Sequence, residues 1–212
     1  MREAIQKVLN FSTHIGELKS LERWRGQFFW RDYPQRDRYE SVADHSWRVA
    51  MMLVVVEKYL SKPIDFRKAI TMALIHDLPE MLVGDPSPLG SDGTGKDSHA
   101  YDQKAKDKKY EGEKVAAQKI FGELPDIHNR ELYDLWLEFE QQDSYEAKVV
   151  MALDKIEPRL QVMEYSQGHV FKKHLDFNLT YRVETFNADP ALAELGSQIL
   201  ERMKSEYKEF TK

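Results

Sequence analysis

Apolar residues recur along most of the chain every three or four positions, the spacing that gathers side chains on one face of an α-helix. Ile5, Val8, Leu9 and Ile15 form the first such series, and Val49, Met52, Leu53, Val56 and Leu60 the second. Strict alternation, the mark of a half-buried strand, is almost absent, so the pattern predicts an all-α fold. Ser41, with Asp44 three residues on, resembles an N-cap and its acidic partner. A helix is expected to start there and run to about Leu60, ahead of Pro63. The next is expected over 66–83, stopped by Gly84 and by Asp85-Pro86-Ser87-Pro88, where two prolines lack the amide donor. From 86 to 109 a polar stretch holds Gly90, Gly93, Gly95 and the charged tract Asp102 to Lys109, a composition that predicts a mobile polar loop. Later helices are expected over 111–121, 130–140 and 144 to about 165, the last with Asp143 and Glu146 as a capping pair. A final helix should begin near Pro190. Pro158 removes one helical donor, which predicts a kink or an early end.

At 212 residues, 42% hydrophobic and 32% charged, the chain falls in the range of one domain. We expect a single domain over 1–212, its site built from about 20–160 and its C-terminal helices, 170–210, packing on that part. No run approaches the roughly eighteen apolar residues of a membrane span, and the N-terminus is amphipathic rather than signal-like, so a cytoplasmic protein without a membrane partner is expected. With no cysteine, disulfides and thiolate ligands are both excluded, and any metal must be held by nitrogen and oxygen. A net charge of -5 argues against polymeric nucleic acid as a partner, while leaving room for a small anionic substrate at a local basic site.

Three polar residues fall where the helical stripes call for aliphatic ones. His45 lies four before Val49, Asp77 lies four after Ala73, and Asp154 lies four after Val150. Burying a charge without a partner costs several kcal/mol, so each needs compensation. His76 precedes Asp77, and neighbours on a helix diverge by about 100°, which lets the pair grip one ion only from adjoining sides. A single histidine on an apolar face is ordinarily a hydrogen-bonded core residue, and a single buried aspartate ordinarily meets Arg or Lys. Two imidazoles and two carboxylates converging from three helices satisfy one another poorly as bare charges and well around a divalent cation. One metal held by His45, His76, Asp77 and Asp154 is therefore predicted, with Mn, Fe, Co, Ni or Zn suited to the donors at about 2.0–2.2 Å.

The order His45, His76-Asp77, Asp154 resembles the H...HD...D signature of the HD-domain phosphohydrolases. Arg23-Trp24, the run Glu40 to His45, the run Ile75 to Glu80, Gly84-Asp85 and Leu153-Asp154 are similar to the 5'-deoxynucleotidase branch, and the likeness covers most of residues 15 to 165. Residues 131–140 and Tyr145-Glu146-Ala147-Lys148 resemble its eukaryotic-type members.

The resemblance implies an HD-domain helical bundle that removes the 5'-phosphate of deoxyribonucleoside monophosphates. It makes Glu80, four residues after His76, the group that orients or deprotonates water, and Asp85 the group that protonates the leaving oxygen or binds the sugar. Arg23 would bind phosphate through a two-pronged contact, Trp24 would pack on the deoxyribose, and Ser87 would donate to substrate oxygens. Without it, Glu80 is an exposed helix-end carboxylate, Asp85 a turn aspartate, Trp24 a core aromatic and Arg23 a surface charge, while Trp30, Trp47 and Trp136 are packing residues. His99 and His128 lie where two-metal relatives place further histidines, which raises a second metal as an alternative. The segment after Pro88 is longer than the family pattern requires, which leaves base and sugar selectivity open. A pyrophosphohydrolase or phosphodiesterase with the same metal, and a metal-stabilised nucleotide sensor, are the rival readings. The partner is a small nucleotide, and a homodimer is left open.

Overall fold

The computed structural model describes residues 1–23 and 38–210 of the chain. Helix α1 (Arg2–His14) is peripheral, with no fully buried residue, and a 3-10 turn (Ile15–Lys19) leads out of it. Beyond that turn, Arg23 N donates to Glu40 O at 2.8 Å and Val42 N to Leu21 O at 2.9 Å, a short antiparallel pairing that sets Arg23 beside the next helix.

That helix, α2 (Val42–Val56), starts as its sequence predicts. Ser41 Oγ accepts from Asp44 N at 3.1 Å, and the Asp44 carboxylate accepts from Ser41 N at 2.9 Å. Its buried face carries Val42, His45, Val49, Leu53 and Val56, so the helical period draws His45 inward on the first turn.

Helix α3 (Phe66–Ile75) is capped by Asp65, whose side chain accepts from Lys68 N at 3.0 Å. The single helix expected over 66–83 is interrupted here. Pro79 has no N–H for the Ile75 carbonyl and disfavours helical backbone at Leu78. Leu78 N turns back to Ile75 O at 3.1 Å instead, and only one further turn, α4 (Glu80–Val83), forms before Gly84 at φ +81°.

The irregular segment expected through Lys109 is shorter than its composition predicts. Asp102 caps α5 (Gln103–Phe121) by accepting from Ala105 N at 2.7 Å, and the Lys- and Ala-rich tract that follows is made of good helix formers. What remains irregular is tied down from inside. Leu89 is 1% exposed, in one cluster with Val170, Leu175 and Phe177. Gly95, at φ +80°, donates to Leu89 O at 2.8 Å, in a corner where a Cβ would meet the Phe177 ring at 2.7 Å.

Helices α6 (Asp126–Gln141) and α7 (Tyr145–Ser166) complete the frame. Ser144, rather than Asp143, caps α7, and Glu146 instead accepts from Asp65 N at 3.0 Å. α7 runs through Pro158 without ending. Just beyond the proline, the Arg159 guanidinium donates to Lys155 O, to Asn178 O at 2.9 Å and to Tyr181 O at 2.6 Å, stitching the helix to the chain that follows. α2, α3, α6 and α7 enclose Leu53, Met72, Phe139, Val150 and Leu153, each such side chain contributing about 1.5–3 kcal/mol by leaving water.

The C-terminal layer is β1 (His169–Val170), α8 (Lys172–Thr180), a 3-10 turn (Val183–Ala188), α9 (Pro190–Ser205) and β2 (Lys208–Glu209), with β1 and β2 a two-residue parallel pair. Leu192 of α9 joins the α2–α3–α7 core. Among the described residues no helix is long and apolar enough to cross a membrane.

Asp189 ties this layer to the frame. Its carboxylate accepts from Ala191 N at 2.8 Å as the α9 cap, from Ser61 N at 2.9 Å and from Tyr145 Oη at 2.6 Å. Burial pushes its carboxyl up, but bonds from Ser61 and Tyr145 outweigh that and hold it at about 2. A depressed folded-state value stabilises the fold fully above the ordinary carboxylate range, and that contribution drains away as pH falls towards 2. Urea unfolding of Asp189→Asn is expected to show lower stability at pH 7 and a smaller further loss between pH 4 and 2 than the parent.

Candidate active site

His45 arrives from α2, His76 and Asp77 from the turn that Pro79 forces, and Asp154 from the middle of α7. Their donor atoms meet. His45 Nε2 lies 3.1 Å from Asp154 Oδ1, 3.4 Å from His76 Nε2 and 3.6 Å from Asp77 Oδ2. His76 Nε2 lies 3.2 Å from Asp77 Oδ2 and 3.8 Å from Asp154 Oδ1. Two donors each about 2.1 Å from one ion stand about 3.0 Å apart at a right angle and about 3.4 Å apart at the tetrahedral angle, so the spacing fits a shared divalent cation.

The ring protons say the same. His76 Nδ1 donates to Ala73 O at 3.0 Å, and His45 Nδ1 donates to Glu157 Oε2 at 2.5 Å, which leaves both Nε2 atoms as lone-pair donors facing each other. Two lone pairs at 3.4 Å cannot bond to one another and need a cation between them. Protons otherwise take that place. Burial works against charge on both rings, yet Asp77 and Asp154 raise His76, and Glu157 with Asp154 raises His45. In turn, His76 and His45 outweigh burial at Asp77 and lower it, and Lys155 with the two histidines does so at Asp154. The site is built to hold a divalent metal ion. Trp136, fully buried, donates to His76 O at 3.0 Å and fixes the turn from beneath.

Glu157 was not singled out from the sequence. It is fully buried one turn after Asp154, and that i+3 spacing on an apolar stripe was the available signal. It orients His45 and faces Arg23 Nη1 at 3.5 Å and Arg48 Nε at 3.4 Å. Arg23 is no surface charge. Nη1 donates to Glu40 Oε2 at 3.1 Å and Nε to Asp85 Oδ2 at 3.1 Å, so the atoms a two-pronged phosphate contact would use face carboxylates. Burial opposes its charge, but Asp85, Glu40 and Glu157 raise it well above the usual range. Burial lifts Glu40 to about 7 against the pull of Arg23.

Glu80 is 4% exposed rather than a free helix-end carboxylate. Although the helix breaks between them, it still reaches the cleft lined by Asp77, Asp85, Ser87, Lys109 and Asp154. Burial, then Asp77 and Asp85, push its carboxyl well up, against Lys109 at 3.6 Å. Lys109, which the sequence placed in a loop, sits on the first turns of α5 and also pairs with Glu113. Ser87 Oγ accepts from Leu89 N at 3.2 Å at the cleft wall.

Trp24 and Trp30 lie outside the described residues. Trp47 is 64% exposed on the outer face of α2 and is not a packing residue. His128 is exposed on α6 and lines no part of the cleft. His99 does line it, but burial and then Lys109, Lys155 and Arg182 hold its pKa down to about 4, surroundings that repel a second cation. Neither histidine joins a metal-binding cluster among the described residues.

A helical frame that turns two imidazoles and two carboxylates to one point defines a metal-binding helical domain. The family profile described as HD domain matches residues 15–195. The 5'-deoxynucleotidase HDDC2 of Xenopus laevis is 35% identical over 164 residues, 76% of this chain and 71% of that protein. Its Homo sapiens namesake is 34% identical over 162 residues, 76% and 69% of the two chains. The predicted metal-dependent phosphohydrolase of Magnetospirillum magnetotacticum MS-1 shares the fold, with a TM-score of 0.70 at 23% identity over 96% of each chain. The chain belongs to the HD-domain family.

Outer partners of metal-bound histidines are worth about 10–100-fold in metal affinity. Glu157→Gln keeps the shape of the side chain and removes the charge behind His45, and calorimetric titration is expected to show divalent-metal affinity reduced by that factor. Unchanged affinity would remove Glu157 from the metal site.

Proposed function

We propose that the chain hydrolyses the 5'-phosphate of deoxyribonucleoside monophosphates, giving a deoxyribonucleoside and inorganic phosphate. The observation that carries the reading is the cluster of His45, His76 and Asp154, with Asp77 beside both imidazoles and with Glu80 and Asp85 on the same cleft. It agrees with the HDDC2 relatives, which are 5'-deoxynucleotidases. When bound to His45, His76, Asp77 and Asp154, a divalent ion supplies Lewis acidity towards a phosphoryl oxygen and water. Mn, Fe, Co, Ni or Zn is the choice that an N2O2 set favours.

The protein's own groups handle the proton. Lys109 at 3.6 Å favours the ionised Glu80 that accepts a proton from the attacking water. Burial, Asp77 and Asp85 favour the protonated form that returns it to the departing 5'-oxygen. Asp85, ion-paired to Arg23 at 3.1 Å, is an acceptor and suits a sugar hydroxyl better than the leaving oxygen. A sensor that only binds would have no use for a buried carboxyl such as Glu80, whose Oε2 has no hydrogen-bond partner among the described residues.

The cytoplasmic setting expected from the sequence goes with this reading, since nucleoside monophosphates do not cross membranes unaided. A homodimer goes with it too. Trp47, Met51, Val55 and Tyr59 recur every four residues along the outer face of α2 and its following turn, an apolar stripe of the kind that marks an interface. Sedimentation is expected to give a dimer that Trp47→Glu converts to a monomer.

Phosphate release from each 5'-deoxynucleotide and 5'-ribonucleotide, after metal stripping and re-addition of single metals, tests the activity. Release is expected to return with metal, to favour deoxynucleotides, and to fall in Asp77→Ala by more than the roughly hundredfold of an outer partner. Cleavage only at a diphosphate or diester linkage would move the reading to that chemistry.

A further inference from the structure

Where α2 meets α7 the contact is apolar through Val49, Leu53, Val150 and Leu153, but one edge of it is a seam of charge. On α7, Asp154, Glu157, Gln161 and Glu164 follow one another at steps of three, four and three residues, which sets them in a row on one helix face. From α2, His45 and Arg48 reach into that row one turn apart. His45 fills the gap between Asp154 and Glu157. Arg48 fills the gap between Glu157 and Glu164. Its Nη1 donates to Glu164 Oε1 at 3.0 Å, and its Nη2 to Glu164 Oε2 at 2.8 Å and to Gln161 Oε1 at 3.0 Å, while Nε stands 3.4 Å from Glu157 Oε1.

The two halves of the seam join at Glu157, which is fully buried. Its oxygens are served differently. Oε2 accepts from His45 Nδ1 at 2.5 Å and faces Arg23 Nη1 at 3.5 Å. Oε1 has no hydrogen-bond partner among the described residues, a costly state for a buried carboxylate oxygen. Arg23 cannot make this good, because its Nη1 also serves Glu40 and its Nε serves Asp85, both at 3.1 Å. Arg48 brings a second positive charge to the Oε1 side. The forked contact with Glu164, and the bond to Gln161, fix the plane of its guanidinium from the outer side of the seam, so its place does not depend on Glu157.

We propose that Arg48 is a positioning residue of the metal centre, acting through Glu157 on His45. By holding Glu157 Oε1 it keeps Oε2 on His45 Nδ1, which fixes the ring proton there and leaves Nε2 to the ion. Arg48 is not itself a donor. A plain tie between α2 and α7 would use the same bonds to Glu164 and Gln161, and it would leave metal affinity alone. The assignment depends on the metal centre and not on which phosphate ester the chain cleaves.

Calorimetric titration of the metal-stripped chain with Mn or Zn separates the two roles. Arg48→Gln is expected to bind either metal roughly threefold to tenfold more weakly, short of the 10–100-fold of a partner in direct contact with a ligand. Glu164→Gln, which breaks the outer pair but spares Glu157, is expected to bind metal like the parent and to melt like Arg48→Gln. Arg48→Lys keeps the charge without the fork and should fall between parent and Arg48→Gln. Because Arg48 acts through Glu157, adding Arg48→Gln to Glu157→Gln is expected to weaken binding no further. The visible spectrum of the Co-loaded chain should change in Arg48→Gln and not in Glu164→Gln. Parent-like affinity in Arg48→Gln, or losses that add in the double variant, would overturn the assignment. Weaker metal binding in Arg48→Gln, beside a parent that releases phosphate from no nucleotide, would sink the hydrolase reading and leave the role of Arg48 standing.

Discussion

Two carboxylates one helical turn apart, Asp154 and Glu157, are buried in the middle of α7. Neither could stay ionised there alone, since isolated charge in an apolar interior costs several kcal/mol even after relaxation. The surrounding structure compensates them. α2 brings His45 between the two, the turn after α3 adds His76, the pairing around Glu22 and Ser41 delivers Arg23 to Glu157, and Lys155 bonds the outer oxygen of Asp154 at 2.7 Å. Four separate segments are thus held in register by one charge problem. A divalent ion at the donor set would solve it more completely than protons do, because one ion would draw on His45, His76 and Asp154 together.

The parts of this arrangement that depend on one element were legible in the sequence. The Ser41–Asp44 cap and the apolar stripe of α2 put His45 inside, and the stripe of α7 did the same for Asp154. Parts that depend on two elements were not. Arg23 looked like a surface charge because nothing local reveals three carboxylates arriving from residues 40, 85 and 157. Glu157 shares the buried face of Asp154 at i+3, but its role depends on His45 of another helix, which no local pattern reveals. Pro79 was the reverse case. The missing amide donor that stops a helix at Pro86 and Pro88 acts there too, while the apolar pattern continues past it to 83, and the donor decides where the helix ends. For 103–109, charge suggested solvated loop whereas helix propensity and the Asp102 cap decided the outcome.

That interruption at Pro79 changes what the adjacent pair His76-Asp77 can do. Inside a regular helix their side chains would diverge by about 100°. His76 keeps helical backbone, its N–H still on Met72 O at 3.0 Å, but beyond it the chain tightens, with Leu78 N on Ile75 O and Glu80 N on Asp77 O, both at 3.1 Å, while Trp136 holds the His76 carbonyl at 3.0 Å. Adjacent residues can therefore serve one point, with their aim set by a break in regular structure.

Leu89 gives the irregular segment after α4 a consequence of its own. Its side chain is anchored among Val170, Leu175 and Phe177, and Gly95 lies against the same Phe177 ring, so the wall of the cleft hangs from α8 and β1. None of those C-terminal residues donates to the metal centre. Phe177 and Leu89 also line the cleft itself, so a loss of volume at Phe177 or Leu175 would leave the metal donors in place and reshape the wall they face. The shape of the cleft is in this sense a property of the C-terminal layer, open to adjustment without any change in the donors at its floor.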